Sequence, residues 1–247
     1  MTKPLTTFGA SAAILAALMA CKSKEQASPP APVSAAPPVA TNAPNADPED
    51  YSGVFSVSGD RTGTITITRY RGAQYRVNRS EGGSKQGVGH RVGKVLFVAW
   101  SVKGAGLHLF EKSGGELKGS VFGSQEMKIG NEGLSGKAND DFTGKFKLDA
   151  EYPPGDRYKG SLTVTQKDGI LKAAYYTVTS DGDEGSYVAY GLVRGDAAAV
   201  GSHAGDPFEF AAYEPSADRR TYTGKVLASD QISKGTWSET LTFKSLP

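Results

Sequence analysis

A single cysteine, at position 21, is all that the 247 residues contain. The remainder of the chain therefore holds no disulfide and no thiolate metal site. An excess of one charge is missing as well: 28 Lys and Arg stand against 26 Asp and Glu, a net of +2. With no basic cluster there is no field to hold nucleic acid, and nucleic acid is excluded as a partner. Histidine is scarce, and His90, His108 and His203 show no metal-ligand spacing such as His-x-x-x-His. The Gly-x-Ser-x-Gly elbow of serine hydrolases is absent. So are a phosphate loop and a dinucleotide glycine motif opening a helix. No cofactor and no metal is read. No helical pattern is legible after residue 50.

What is present begins with an address. Met1-Thr2-Lys3-Pro4 leads into an uncharged run from Leu5 to Ala20. A basic start followed by a short apolar stretch reads as a secretory signal over residues 1–20. The run is shorter than the roughly 20 large apolar residues of a spanning helix, although an uncleaved membrane anchor is the alternative. Residues 22–49 then carry seven of the chain's 13 prolines, set among Ala, Ser and Asn. This composition builds no core and favours extended polyproline II structure, so 21–49 reads as a disordered linker. At about 3.1 Å per residue it reaches at most roughly 90 Å.

The folded part is a repeat. Gly59-Asp60-Arg61-Thr62-Gly63 returns as Gly155-Asp156-Arg157-Tyr158-Lys159-Gly160. Thr64 to Thr68 returns as Ser161 to Thr165, and Gly89-His90-Arg91-Val92-Gly93 as Gly191-Leu192-Val193-Arg194-Gly195. Leu117-Lys118-Gly119-Ser120-Val121 matches Tyr222-Thr223-Gly224-Lys225-Val226, and Asn131-Glu132-Gly133-Leu134 matches Ser238-Glu239-Thr240-Leu241. Five matches in one order define two copies, 50–136 and 137–247. Each reads as short strands. Thr64 to Thr68 alternates hydroxyl and branched apolar, the period of a half-buried strand. Val95 to Trp100 is apolar on both faces, which predicts that both are covered. About eight such runs, separated by Gly- and Asp-bearing turns, fit each copy. Eight up-and-down strands close into a small barrel, since closure removes exposed edges. The expected fold is all-β: two tandem antiparallel meander barrels of lipocalin-like or avidin-like architecture, with a β-sandwich as the alternative.

Two resemblances add to this. Leu18-Met19-Ala20-Cys21 resembles the bacterial lipobox, which implies cleavage before Cys21, lipidation of its sulfur and further acylation of the new amino group. Two or three chains anchor a protein durably where one does not. Lys22, in place of Asp, resembles the pattern for the outer membrane. Gly87-Val88-Gly89, Val98-Ala99-Trp100, Leu117-Lys118-Gly119 and Glu132-Gly133-Leu134 together resemble secreted bacterial β-rich repeats, some of which carry a fibronectin-binding label. The second copy departs from that pattern, with Val200-Gly201-Ser202 where Val-Ala-Trp is expected.

Candidate chemistry is thin. His90 matches Leu192, so its position does not demand an imidazole; the histidines read as strand or turn residues. Ser202 precedes His203, but strand neighbours point to opposite faces. Glu132 and Glu239 are the acidic pair to watch at a barrel mouth, against the plainer reading of strand-end charges closing turn hydrogen bonds. Asp181-Gly182-Asp183-Glu184-Gly185 begins like a calcium loop and fails at its twelfth position, Leu192. Among the aromatics, Trp100 and Trp237 are candidate ligand contacts, with core filling as the alternative. The sequence therefore predicts a lipid-tethered binding module of the cell envelope with no enzymatic activity. Its partner would be an envelope or extracellular protein or a polysaccharide. A lipocalin-like carrier of a small apolar ligand is the alternative, and a hydrolase comes last.

Overall fold

Side chains that alternate in and out at period two dictate the architecture. The computed structural model describes residue 44 and residues 47–81, 83–123, 127–152, 155–202 and 207–247. The signal segment 1–20, Cys21, nearly all of the linker 21–49 and His203 lie outside the described residues. The first copy folds as Gly53–Gly59 (β1), Gly63–Arg71 (β2), Gln74–Ser80 (β3), Ser84–Val92 (β4), Val95–Ser101 (β5), Gly106–Ser113 (β6), Glu116–Gly123 (β7) and Ile129–Ser135 (β8). The second folds as Gly144–Tyr152 (β9), Asp156–Lys167 (β10), Ile170–Thr179 (β11), Glu184–Arg194 (β12), Ala197–Ser202 (β13), Glu209–Pro215 (β14), Thr221–Ala228 (β15) and Trp237–Ser245 (β16). One 3-10 turn, Ile232–Lys234, precedes β16.

The strands form two closed antiparallel barrels of eight, as the all-β expectation required. The strands are not shared out one copy to one barrel. The first barrel runs β1-β16-β15-β14-β5-β4-β3-β2 and the second β10-β11-β12-β13-β6-β7-β8-β9. Residues 50–136 and 137–247 hold eight strands each, but they are not the barrels. β5 pairs with β14 instead of β6, and β13 pairs with β6 instead of β14. The last three strands of each copy have changed places. The second barrel is consequently continuous, residues 106–202, and sits as an insertion between β5 and β14 of the first.

Three apolar clusters follow from the alternation. Phe55, Ile65, Ile67, Leu96, Val98 and Trp100 fill the first barrel. Phe110, Phe146, Leu148, Leu162, Val164 and Val200 fill the second. Between the barrels, Phe97, Ala99, Leu107, Leu109, Ala199 and Phe210 form a third. That third cluster explains why β5 is apolar on both faces. Leu96, Val98 and Trp100 face inward, while Phe97 and Ala99 meet the other barrel. β6 and β13 behave alike, with Phe110 and Val200 inward and Leu107, Leu109, Ala197 and Ala199 at the contact. The matched hairpin glycines Gly93 and Gly195 have φ of 57° and 58°, a left-handed turn that glycine adopts without strain.

Candidate functional site

The two barrels present matched mouths with opposite contents. Val92 pairs with Val95 and Arg194 with Ala197, so counting along β5 and β13 sets Trp100 opposite Ser202 in the repeat. Pairing carries the match onward. Ala211 corresponds to His108, Arg79 to Tyr175, Lys85 to Tyr187, and Glu239 to Glu132.

In the first barrel these positions are filled by large side chains, and a cleft of about 380 Å³ lies outside them against Lys85, Trp100 and Glu209. The Arg79 side chain is fully buried and grips Glu239 with two hydrogen bonds, Nη1 to Oε2 at 2.8 Å and Nη2 to Oε1 at 2.7 Å. A bidentate guanidinium–carboxylate pair is the strongest common ion-pair geometry. Tyr213 donates its hydroxyl to Glu239 Oε2 at 2.9 Å and Trp237 its Nε1–H to Oε1 at 3.1 Å. Arg79 also lies 5.0 Å from the centre of the Trp100 ring, and Trp100 donates its Nε1–H to Glu209 Oε2 at 2.6 Å. Arg61 and Lys85 complete the lid on Glu209. Burial pushes the Glu209 carboxyl up, but hydrogen bonds from Arg61 and Lys85 outweigh it, and the group sits below the usual carboxylate range. Of the two candidate tryptophans, Trp100 is wholly buried in the core and Trp237 is half-buried under Arg61.

In the second barrel the cations and the tryptophan are gone, and the mouth is open. A cleft of about 310 Å³ reaches the inner face, with His108, Ser202, Phe122, Tyr158 and Tyr187 on its walls. His108 Nδ1 lies 2.8 Å from Glu132 Oε1, and Nε2 lies 3.0 Å from the Ser202 hydroxyl. A carboxylate only accepts, so Nδ1–H donates to Glu132; with the imidazole neutral, Nε2 is then free to accept the Ser202 O–H. The Glu132 side chain is fully buried and that of His108 nearly so, while Ser202 is half-buried at the strand end. Glu132 meets no guanidinium here. Glu132 lies close to the Tyr158 and Tyr175 phenols, but neither its Oε2 nor the Tyr175 hydroxyl, both buried, closes a hydrogen bond of ordinary geometry. Tyr175 stacks on Tyr187 with ring centres 4.6 Å apart and planes 7° apart, and lies 5.0 Å from the His108 ring. Burial, reinforced by the Glu132 charge, pushes the phenols of Tyr158, Tyr175 and Tyr187 well up, which keeps them as hydrogen donors.

Local sequence explains the convergence. His108 shares the inner face of β6 with Phe110, and Ser202 that of β13 with Val200. Ser202 pairs directly with Gly106, which puts His108 one diagonal step away. Glu132 reaches across because β7 offers glycine there: a Cβ on Gly119 would lie 2.8 Å from that of Glu132. The matched Gly224 does the same service for Tyr213, whose ring would lie 2.3 Å from such a Cβ.

Known proteins give no guide to this mouth. No family model, curated protein or solved structure matches the chain.

The plainer expectations for Glu132, Glu239 and His108 are corrected by this geometry. Both glutamates are buried inside barrels and neither closes a turn. They also belong to different barrels, so they form no shared acid–base pair. His108 is 4% exposed and held at both nitrogens. His90 does sit on a strand, half-buried, with its ring 5.7 Å from Phe122 at the contact between the barrels. Asp181 to Glu184 form the exposed hairpin tip between β11 and β12, and no group of metal-ligating side chains occurs among the described residues. No helix among the described residues is long and apolar enough to cross a membrane.

Proposed function

We propose that this chain is a lipid-tethered binding module of the cell envelope, anchored through Cys21, whose working site is the mouth of the second barrel. The ligand is a small molecule with a flat apolar ring and at least one hydrogen-bonding group. One observation carries this reading: matched positions are plugged by Arg79, Lys85 and Trp100 in one barrel and left open by Tyr175, Tyr187 and Ser202 in the other. The fold therefore tolerates bulky side chains at these positions, and the second barrel departs from that by leaving its inner face reachable from the cleft. The stacked Tyr175–Tyr187 pair offers a flat face, and the phenols, imidazole and serine offer donors and acceptors. The volume falls at the small end of ligand pockets, which run from about 300 Å³ upward. The rest of the interior is filled, which argues against long acyl cargo.

The test is native mass spectrometry on mature protein purified from its host without denaturant, beside a Ser202→Trp variant that copies the first barrel. A small retained mass, lost in the variant, supports the reading. A bare polypeptide mass together with no binding of 4-nitrophenol, a flat ring with two polar ends, overturns it.

A further inference from the structure

We propose that Ser202 is a nucleophile and that the mouth of the second barrel cleaves small carboxylic esters by acyl transfer through it, an inference that rests on this mouth being a ligand site. The geometry is that of a base-activated hydroxyl. Ser202 Oγ stands 3.0 Å from His108 Nε2, and the far nitrogen of the same ring stands 2.8 Å from Glu132 Oε1. Both separations lie within the reach required for proton transfer and for orienting the base. Burial falls away along the line. Glu132 is fully buried, His108 nearly so, and Ser202 lies at the wall of a cleft open to solvent. A purely structural network would have no reason to end on a hydroxyl facing open space.

The repeat supplies an internal control. The first barrel keeps the glutamate and folds with Trp100 and Ala211 in place of the serine and the histidine. The fold thus does not require the Ser–His pair, and the glutamate alone is common to both mouths. In the first barrel it is neutralised by Arg79 and serves stability; in the second it is left with an imidazole. Gly119 clears the path along which the carboxylate reaches that ring.

The reaction balances without any further group. Oγ attacks the ester carbonyl carbon as its proton passes to Nε2, and Glu132 stabilises the imidazolium that forms. The tetrahedral adduct collapses, the bond to the alcohol oxygen breaks, and the alcohol leaves with the proton from Nε2. Water then adds to the acyl-serine, giving a proton to Nε2, and the carboxylic acid departs as that proton returns to Oγ. Negative charge on the carbonyl oxygen needs donors aimed into the cleft. Among the described residues the phenols of Tyr158 and Tyr187 line the same space, and both stay protonated at neutral pH. Ser202 and His108 are the catalytic residues, and Glu132 is a positioning residue that acts through His108.

The test uses the full chain with Cys21 intact, purified in detergent. It is treated with a fluorophosphonate, and separately with 4-nitrophenyl acetate, while 4-nitrophenol binding is followed by calorimetry on the same samples. One label is expected on the peptide holding Ser202, absent in Ser202→Ala. His108→Gln lowers the acylation rate at least about 100-fold. Glu132→Gln lowers kcat by a similar factor with 4-nitrophenol affinity unchanged, a split that loss of structure would not give. If Ser202 stays unlabelled while 4-nitrophenol binds, the nucleophile is overturned and the ligand site stands. If neither occurs, both fall. Labelling that survives Ser202→Ala also overturns the proposal.

Discussion

Glu132 and Glu239 hold one register position in two barrels and meet different partners, an imidazole at 2.8 Å in the second and a guanidinium gripping both oxygens in the first. The same buried carboxylate is thereby a seal in one mouth and part of a reactive line in the other. Which it becomes follows from one matched position, held by Arg79 on β3 in the first barrel and by Tyr175 on β11 in the second.

Removing Arg79 alone should be severe. Arg79→Met strands Glu239 as a buried charge, and losing one member of such a pair costs about 3–5 kcal/mol. The double variant Arg79→Met/Glu239→Gln removes the charge as well: the amide oxygen can accept the Trp237 N–H, while the amide NH2 can donate to the Tyr213 hydroxyl oxygen. Urea unfolding should place the double variant between wild type and Arg79→Met. Equal midpoints for wild type and Arg79→Met would show that the ion pair is not what closes this mouth.

His90 makes stability depend on mild acid. Burial holds its pKa down to about 4, from the ordinary 6.5. The unfolded chain binds the proton first, so the contribution of neutral His90 is complete above pH 6.5. It is lost progressively as pH falls from 6.5 towards 4. The depression is worth about 3 kcal/mol at 1.36 kcal/mol per pH unit. His90→Leu, which installs the residue found at the matched position 192, should flatten that part of the stability profile. Parallel profiles for the two proteins across this window would refute the assignment.

The exchange of strands predicts which fragments fold. Residues 104–208 span one whole barrel and cut across both copies; this piece should unfold cooperatively by itself, though its Leu107, Leu109 and Ala199 face will be exposed. Residues 47–136 follow the repeat and hold five strands of one barrel and three of the other. That piece should show no cooperative transition as a monomer. Circular dichroism melts on both fragments decide the matter, and the reverse result would mean that each copy closes on itself.

The address is tested at Cys21. Cys21→Ala should release the chain from washed membranes, since it removes the sulfur proposed to carry the lipid. Retention of the variant in the membrane fraction would contradict the lipoprotein reading.

Much of the fold was legible because it is written locally. The alternation in β2 and β10, the two-faced burial of β5 and the count of eight strands per copy all follow from residues a few positions apart. Partner choice does not. β6 and β14 carry matching patterns, so β5 is equally well satisfied by either, and only the packing of whole strands decides. For the same reason the line from Ser202 to His108, 94 residues apart, was invisible. In sequence Ser202 stands beside His203, which a strand turns to the opposite face, and its neighbour in space comes from the other copy. One signal did stand in the sequence: Val200-Gly201-Ser202 breaks the Val-Ala-Trp pattern at the position where the plug is missing. The equal spacing of Glu132 and Glu239 also marked matched places, although not their burial.

Because the second barrel is spliced into the first, the two do not depend on each other equally. While it is folded, β6 lies beside β13, and only a few residues of sequence separate these strands from β5 and β14 of the first barrel. Once it unravels, the first barrel must span a loop roughly ten times longer, which costs about 2 kcal/mol in closure entropy. Loss of the first barrel puts no such burden on the second, whose strands are continuous. A molecule that tightens the open mouth would therefore also hold shut the sealed one, which it never touches.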